Sequence, residues 1–444
     1  MTSATHRIAV IGGGWAGCAA AVELARLGAQ VTLFESARRL GGRARCVDIN
    51  GMSLDNGQHI LLGAYTETLR LLQTVGIDPN QALLRLPLQM RYPEDSGGMD
   101  FIAPKLPAPL HVLVALWRAT GLAREDKLAL ARFSTTARWI DWSLNTDCTV
   151  AELLNRFDQT ERLTRLMWRP LCIAALNTPP ERASAQVFLN VLRDSLGAGR
   201  AASDMLLPTT DLTALFPQRA ADFIARHGGT VCKGMAVNKI MRSESGWRLA
   251  ASSEQAAHMD DTGFDAIIVA TQPAQAANLL DGMIDTASLS AFAYEPITTC
   301  YLQYSPGIRL TQPLFALPDD PDAGAWGQFV FDRGMLDPAQ SGLLAVVVSA
   351  SSAAIAAGQD ALSAAVASQL AAVFRLPELM HPKWTRVITE KRATFSCIPD
   401  LARPPNATGV DRLVLAGDYT ASKYPATLES AIRSGVQAAQ LLVR

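Results

Sequence analysis

The sequence has little charge for its length. Only 18% of its 444 residues are Asp, Glu, Lys or Arg, and 40 Lys and Arg against 41 Asp and Glu leave a formal net charge of −1. Proteins that bind nucleic acid through its phosphates carry a clear basic excess, so this class of partner is excluded. Hydrophobic residues make up 49% of the chain, which excludes intrinsic disorder, and the length predicts two or three domains.

The sequence also lacks paired cysteines and long hydrophobic runs. Its seven cysteines are an odd number with no CxxC spacing, so we expect neither a disulfide framework nor a metal site. No apolar run reaches the ~18 to 20 residues of a membrane-spanning helix. The strongest candidate, residues 106–117, contains Pro107, Pro109 and His111. No signal peptide is recognised. We expect a cytoplasmic protein, and a peripheral position on the inner membrane surface stays open.

What is present begins with a change of hydrophobic period near the N-terminus. Residues 8–11 predict a buried strand, residues 16–27 an alanine-rich helix and residues 30–35 a second strand, which together form a βαβ unit. Gly12, Gly14 and Gly17 give G-x-G-x-x-G at the strand-to-helix turn. The first glycine allows the tight turn, the second lets backbone approach a pyrophosphate, and the third permits close helix packing.

This unit predicts a dinucleotide site. The helix N-terminus, which includes Trp15 and Ala16, supplies positive partial charge to a diphosphate. Glu35 ends the second strand 18 positions after Gly17, and it suits a hydrogen bond to a ribose, with Ser36 beside it.

The segment after Glu35 distinguishes between cofactors. It turns on Gly41-Gly42-Arg43, where a nicotinamide dehydrogenase would continue its sheet with another helix. Here the sequence resembles the amine oxidase and phytoene desaturase superfamily of flavoproteins. The resemblance implies that FAD is the cofactor and that these three residues line its site, with Arg43 a cation close to phosphate or flavin.

The far end of the chain extends the resemblance. Residues 413–417 predict a strand that leads into Asp418, and residues 426–442 a helix. The resemblance implies cofactor contacts for Gly417, Asp418, Leu428 and Glu429, although many relatives have glycine where this chain has Ser430. It also implies that the strand near residues 236–241 carries an adenine contact at Val237, which the sequence alone presents merely as a strand residue. No cysteine lies in the C-terminal segment, so a covalent flavin link is not expected.

The resulting fold class is α/β. We predict a discontinuous Rossmann-like FAD-binding domain from residues 1–75, 208–280 and 390–444, with a mixed helical and β substrate domain, or cap, inserted at 76–207 and 281–389. Helical periodicity marks 110–117, 127–142 and 150–171 in the cap, and 212–227 in the FAD domain. The apolar cap favours an apolar substrate, and residues 106–117 offer a segment that dips into a bilayer.

Three internal stretches narrow the family. LDNGQHILLGAY at 54–65, PLCIAALNTPPERASAQVF at 170–188 and EKRATF at 390–395 resemble the squalene-associated FAD-dependent enzymes, the bacterial hydroxysqualene dehydroxylases of hopanoid synthesis. The resemblance implies reductive removal of an allylic hydroxyl from a C30 isoprenoid alcohol, with hydride from reduced FAD, an electron donor that the sequence does not name, and neighbouring squalene-pathway enzymes as partners.

That reaction needs an acid to help water depart. His59 is the first choice, because an unperturbed imidazole with a pKa near ~6.5 donates at cytoplasmic pH; a structural hydrogen bond beneath the flavin is its alternative role. Asp55, Gln58, Arg392 and Tyr424 are supporting candidates that would orient the hydroxyl, and packing is the alternative for the last two.

Two other functions stay open. A carotenoid or phytoene-type desaturase needs the same fold and differs in redox direction, which sequence motifs do not encode. A non-catalytic FAD- or isoprenoid-binding protein would share the cofactor motifs without turnover. An amine oxidase is disfavoured, because beyond Tyr419 and Tyr424 the C-terminal motif shows no aromatic pair to cage an amine.

Overall fold

The protein is described here by a computed structural model, which covers residues 6–49, 51–244, 246–251 and 263–443. Its centre is a five-stranded parallel sheet. The strands lie in the order Thr230–Lys233, Gln30–Glu35, Arg7–Ile11, Ala266–Val269, Leu413–Leu415. The five strands thus come from all three of the segments predicted for the FAD domain, at residues 7–35, 230–269 and 413–415. The domain boundaries themselves stay a prediction.

Two long helices cover this sheet and cross at close range. Trp15–Arg26 and Leu428–Val443 contact each other along their lengths. A Cβ on Gly435 would lie 2.1 Å from the carbonyl oxygen of Ala16, so only glycine permits this approach. The crossing brings the middle of the C-terminal helix, at Gly435, beside the start of the helix that follows the N-terminal dinucleotide motif.

The predicted βαβ unit is confirmed, with the helix at Trp15–Arg26 between strands Arg7–Ile11 and Gln30–Glu35. The remaining elements on this side of the molecule are short strands and helices around the sheet. The strands are Cys46–Ile49, Met52–Asp55, Leu61–Leu62, Val237–Ser243 and Gly246–Ala251, and the helices are Thr66–Thr74, Pro79–Ala82, Leu212–Leu215, Pro217–Arg226 and Pro273–Leu280.

A second, antiparallel sheet forms the floor of the cap. Its strands lie in the order Leu314–Ala316, Phe329–Asp332, Leu343–Ser349, Tyr294–Gln303, Trp384–Phe395. Alternating side chains give it two buried faces. One face packs on the helix Gln359–Phe374. The other, with Tyr301, Ala345 and Phe331 aligned across neighbouring strands, belongs to the same apolar cluster as the cap helices.

The cap helices come mostly from the first insertion. They are Leu110–Arg118, Arg124–Trp139, Val150–Arg156, Glu161–Leu163, Arg169–Leu176, Ala185–Leu192 and Arg200–Ser203, with π-helical turns at Thr164–Trp168 and Arg193–Gly197. Short strands at Leu83–Leu86, Gln89–Arg91, Asp100–Ile102 and Met205–Pro208 also occur. The sequence analysis did not predict these short strands. Leu83–Leu86 pairs with Met205–Pro208, far along the chain, and local periodicity does not indicate such a pairing.

Two predicted helices are interrupted. The helix predicted at 150–171 ends at Arg156, Asp158 takes a left-handed φ of 49°, and Thr160 caps a new start. The helix predicted at 212–227 is two helices, because Pro217 lacks the N–H that would continue the first and opens the second. Among the residues that the structure describes, no helix is both long and apolar enough to cross a membrane.

Candidate flavin site

The glycine loop is shaped for a ligand at one position only. Gly12 has a φ of 111°, and a Cβ there would lie 2.5 Å from the Ala270 carbonyl oxygen. A Cβ on Gly17 would meet the Gly12 oxygen at 1.8 Å. Gly14 differs, because its nearest such neighbour is the Gly42 Cα at 3.9 Å. The helix that Gly14 caps has no side-chain cap and no acidic residue in its first turn, so the N–H groups of Trp15, Ala16 and Gly17 suit an anion.

The predicted second loop closes on the first. Gly41 donates its N–H to the Gly13 carbonyl at 2.8 Å, and Gly14 and Gly41 form an isolated parallel bridge. Gly41 and Gly42 have φ values of 115° and 61°, which explains their identity. The two loops therefore form one backbone cradle, with the open side of Gly14 between them.

Glu35 stands at the edge of this cradle. Its Oε2 accepts the Gly13 N–H at 2.7 Å and its Oε1 accepts the Ala37 N–H at 2.7 Å, with the exposed Ser36 hydroxyl at 3.2 Å from Oε1. Oε2 keeps a lone pair for a ribose hydroxyl. The Met235 N–H donates to the Glu35 backbone oxygen at 2.9 Å, which brings the buried Val237 to the same end of the site.

Arg43 and Asp418 join the two ends of the chain. Arg43 Nη2 donates to Asp418 Oδ1 at 2.6 Å, and Nη1 donates to the Ala393 carbonyl at 2.9 Å. Burial lowers the pKa of Arg43, but the Asp418 carboxylate and its hydrogen bond raise the pKa overall. The Gly417 N–H donates to Ser434 Oγ at 2.9 Å, which fixes the strand end against the C-terminal helix.

Two buried polar atoms in this region have no partner within the described residues. They are Thr271 Oγ1 and the Tyr419 hydroxyl. Thr271 follows the strand Ala266–Val269, and its N lies 3.1 Å from the position of a Cβ on Gly12. Tyr419 follows Asp418. Buried polar groups are normally hydrogen-bonded, so these atoms, the open Gly14 and the free helix N–H groups fit a large polar ligand such as FAD.

The C-terminal helix uses its first acidic side chain for structure. The Glu429 carboxylate accepts four hydrogen bonds, from the N–H groups of Glu67 and Thr68, the Thr68 hydroxyl and Arg433 Nε. These bonds fill both oxygens and anchor the start of the helix Thr66–Thr74. The cofactor contact that the resemblance implied for Glu429 would therefore have to come from its backbone. Leu428, the half-buried residue before it, would also offer its backbone.

Asp55 and Gln58 belong to a polar cluster that also contains Tyr301 and Arg333, which the sequence analysis did not predict. Gln58 Nε2 donates to the Tyr301 hydroxyl at 2.7 Å, and that hydroxyl donates to the Asp55 backbone oxygen at 2.7 Å. Gln58 Oε1 accepts from Arg333 Nη1 at 3.0 Å. Tyr301 and Arg333 are both buried. One feature of the sequence could have indicated Arg333, namely its position at the end of the mainly apolar segment 329–333.

The ionisation states in this cluster differ from the sequence expectation. Burial, and then the charge of Arg43, lower the pKa of His59 to about 4, so the expected unperturbed imidazole is wrong and His59 is neutral at pH 7. Burial raises the pKa of Asp55 to about 7, although its Oδ1 accepts the Leu212 N–H at 2.8 Å. Asp55 is therefore the group here that titrates near neutrality.

The other two catalytic candidates lie elsewhere. The Arg392 side chain is exposed and its guanidinium lies 5.7 Å from the centre of the Tyr294 ring. The Tyr424 hydroxyl donates a short hydrogen bond to Asp194 in the π-helical turn Arg193–Gly197. Within the described residues, neither hydrogen-bonds to the cluster of Asp55 and Gln58.

Comparison with known proteins places this geometry in a family. The profile of flavin containing amine oxidoreductases matches residues 15–443. The chain belongs to this family. It is an FAD-dependent oxidoreductase, and both the predicted fold class and the predicted cofactor are confirmed. The predicted resemblance to hydroxysqualene dehydroxylases is also confirmed.

Individual relatives match from end to end. Proteins named hydroxysqualene dehydroxylase from Rhodopseudomonas palustris and Sinorhizobium fredii are each 27% identical, over 100% and 97% of this chain and 99% and 97% of theirs. A zeta-carotene desaturase from Synechocystis sp. is 24% identical over 98% of this chain and 97% of its own.

Solved structures show the same fold at lower identity. A putative protoporphyrinogen oxidase from Exiguobacterium sp. has a TM-score of 0.69 at 16% identity, covering 100% of this chain and 99% of its own. Cyclohexylamine oxidase from Brevibacterium oxydans has a TM-score of 0.67 at 17% identity, covering 99% and 98%. These structures support the architecture alone.

Proposed function

We propose that this flavoprotein removes the allylic hydroxyl of hydroxysqualene reductively and forms squalene. The observation that carries the proposal is the end-to-end similarity to proteins named hydroxysqualene dehydroxylase, together with the Asp-Asn-Gly-Gln-His motif at residues 55–59. That motif supplies Gln58 to the polar cluster. Anaerobic turnover of the reduced protein on hydroxysqualene tests the proposal.

The interior of the cap supports a hydrocarbon substrate. Its buried aromatic residues join the inner face of the antiparallel sheet in one apolar cluster, which includes Phe101, Phe133, Trp168, Phe188, Phe329 and Phe331. Polar groups are few along this face, with Tyr301 and the buried Thr299 among them. An apolar site with a small number of placed polar groups is what a long isoprenoid with one oxygen requires.

The reaction balances with one external reductant. The C–O bond breaks, one hydride forms the new C–H bond, and the oxygen leaves as water with one added proton; a two-electron donor must then reduce the cofactor again. FAD, when bound, supplies the hydride. The chain would hold its diphosphate at Gly14, Gly42 and the first helix turn. Arg43 and Asp418 would hold the flavin end.

In this proposal the proton source is Asp55, and not His59 as the sequence analysis expected. A His59 with a pKa of about 4 carries no imidazolium at neutral pH, so the ring offers at most an N–H hydrogen bond. The Asp55 carboxyl, whose pKa burial raises to about 7, is partly protonated at that pH. A general acid works best when its pKa lies near the operating pH.

We also propose that the cap rests on an anionic membrane surface, where such a substrate would be dissolved. The helix Leu110–Arg118 exposes Leu110, Leu113 and Trp117 on one side, with Trp117 75% exposed. In the neighbouring helix Arg124–Trp139, Trp139 is 85% exposed. We call Leu110, Leu113, Trp117, Leu128 and Trp139 the cap patch.

Charge around the cap patch favours anionic lipid. Residues 105–139 hold six basic side chains against two acidic ones, within a chain of net charge −1. The basic residues are Lys105, Arg118, Arg124, Lys127, Arg132 and Arg138. Exposed Trp and Leu flanked by Lys and Arg suit the interface of a bilayer. Shallow apolar insertion and attraction to lipid phosphate would act together here.

A desaturase is the second candidate, because a zeta-carotene desaturase also matches this chain along its whole length. It would take hydride from a polyene into oxidised FAD, so it differs in the starting redox state. A non-catalytic isoprenoid-binding flavoprotein would bind substrate without either reaction.

A further inference from the structure

Arg333 is a buried cation that forms no salt bridge within the described residues, although its charge acts on the nearby Asp55 carboxyl and lowers the pKa of that group. Arg333 comes directly after the strand Phe329–Asp332 and is only 4% exposed. Nε donates to Gln340 Oε1 at 3.0 Å and Nη1 donates to Gln58 Oε1 at 3.0 Å. In the described part of the chain, no Asp or Glu oxygen forms an ion pair with it. Both hydrogen-bond partners are neutral amides, and burying a charge that is bonded only to neutral groups costs free energy, so this position calls for an explanation beyond packing.

The partners of Arg333 are themselves fixed. Gln58 accepts from Arg333 with its oxygen and donates to the Tyr301 hydroxyl with its nitrogen, and Tyr301 donates to the Asp55 backbone oxygen. This chain of bonds settles the orientation of the Gln58 amide. Arg333 has five N–H donors, and its two described bonds use two of them. Nη2 makes no hydrogen bond within the described residues.

The cluster lies where the cofactor loop meets the apolar sheet. Asn56, two residues before Gln58, donates from Nδ2 to the Arg43 carbonyl at 2.8 Å and accepts the Arg45 N–H at 3.0 Å. Gln58 is thus tied to the loop that carries the flavin-side arginine. Tyr301 lies on the sheet face that includes Phe331 and Ala345. Arg333 and Gln58 are therefore polar groups at the edge of the apolar sheet face.

We propose that Arg333 and Gln58 bind the single oxygen of the isoprenoid alcohol. This inference rests on the proposed function and adds the residues that recognise the hydroxyl. The free N–H groups donate to the alcohol oxygen, and the fixed positive charge stabilises negative charge that develops on that oxygen as the C–O bond breaks. Arg333 acts there as a charge and a hydrogen-bond donor, because a guanidinium has five N–H groups and no acceptor.

The site also explains how product would be released. A site built to hydrogen-bond a hydroxyl rejects the analogue that lacks it, because the buried polar groups lose their partner. Squalene, which has no oxygen, would leave Arg333 buried and without that acceptor. The protein should therefore bind hydroxysqualene more tightly than squalene, and Arg333 should account for the difference.

The test measures binding without turnover. The oxidised holoprotein in detergent is titrated with hydroxysqualene and with squalene, and the flavin absorbance change gives each Kd. We expect at least a tenfold preference for the alcohol in the natural protein. Arg333→Met should remove most of that preference and leave the Kd for squalene within about threefold. Arg309→Met, at an exposed arginine whose Nη2 lies 3.4 Å from the Ser341 hydroxyl oxygen, should keep it.

A second variant tests the assignment of the hydroxyl-binding residues if Arg333→Met does not fold. If Arg333→Met fails to retain flavin, Gln58→Leu decides, because it removes the amide while Arg333 keeps its bond to Gln340; it too should reduce the preference. A flavin-loaded Arg333→Met or Gln58→Leu variant with the full preference overturns the assignment. If the natural protein prefers the alcohol but forms no squalene when reduced, the proposed function fails and the oxygen site stands.

Discussion

Arg43 and Asp418 lie 375 positions apart in sequence and are joined by a 2.6 Å charge-assisted hydrogen bond. One follows the two-glycine turn near the N-terminus, and the other follows the last strand of the parallel sheet. Asp418 is 6% exposed and the Arg43 side chain 25% exposed, so the carboxylate is buried and the guanidinium is partly buried. It connects the two sequence motifs that the flavin must contact at once, and this makes the pair a direct test of the site.

Asp418→Asn should weaken FAD binding and destabilise the protein. The change leaves the partly buried Arg43 without its carboxylate, and since breaking one side of a fully buried pair costs about 3–5 kcal/mol, that range is an upper limit here. We expect flavin content to fall at least tenfold at limiting FAD, with a lower Tm. Asp411→Asn is the matched control, because its ion pair with Arg242 is exposed and such pairs contribute ~0–1 kcal/mol. Equal flavin retention by both variants would contradict the role given to Asp418.

Gly14→Ala should reduce FAD affinity while the apoprotein keeps its stability to within about 1 kcal/mol. The backbone at Gly14, with φ −73°, accepts alanine, and the protein leaves open space there. The new methyl group would occupy the place of a diphosphate, so we expect at least a tenfold increase in the Kd for FAD. Gly199→Ala is the control at another helix N-cap with open space. Unchanged FAD affinity in Gly14→Ala would place the diphosphate elsewhere.

How far the sequence predicts this site depends on the range of the interactions. The glycine loops, Glu35 and the parallel strands were predictable, because local period and backbone geometry determine them. The use of Glu429 as an anchor for Thr66–Thr74 and the meeting of Arg333 with Gln58 were not, because each joins residues more than 250 positions apart. The pKa of His59 also escaped prediction, since burial and Arg43 together set it.

Asp55→Asn should change how stability depends on pH. Burial raises the folded-state pKa of Asp55 from 3.8 to about 7, so the folded protein binds the proton more tightly than the unfolded chain. Ionised Asp55 then destabilises the protein above about pH 7, and this cost disappears as the pH falls through 7 toward 4. Asn keeps the acceptor for the Leu212 N–H and cannot ionise.

The expected result is a gain in the free energy of unfolding for Asp55→Asn at pH 8 that shrinks toward pH 5. At ~1.4 kcal/mol per pKa unit the difference has an upper limit of about 4 kcal/mol. Denaturant unfolding at several pH values measures it, with Asp411→Asn as a control that should show no such trend. A constant difference between Asp55→Asn and the natural protein would show that Asp55 ionises normally.

Changes in the cap patch should weaken binding to anionic vesicles. Leu113→Ser combined with Trp117→Ser removes two exposed apolar side chains, each worth ~1.5–3 kcal/mol when buried in lipid, so we expect at least a tenfold loss of co-sedimentation. Phosphatidylglycerol vesicles should bind the natural protein better than phosphatidylcholine vesicles, and added salt should reduce the difference. Met380→Ser, at an exposed apolar residue outside the patch, should change nothing. Equal binding by the double variant would place the membrane contact elsewhere.

The direction of hydride transfer distinguishes a dehydroxylase from a desaturase, and one anaerobic experiment measures it. The purified holoprotein is reduced with one equivalent of dithionite and mixed with hydroxysqualene, while flavin absorbance and squalene are followed together. We predict that the oxidised flavin band returns and that one squalene forms per flavin. Flavin that stays reduced with hydroxysqualene, in a protein whose oxidised form is bleached by a polyene precursor, would contradict dehydroxylation and establish a desaturase.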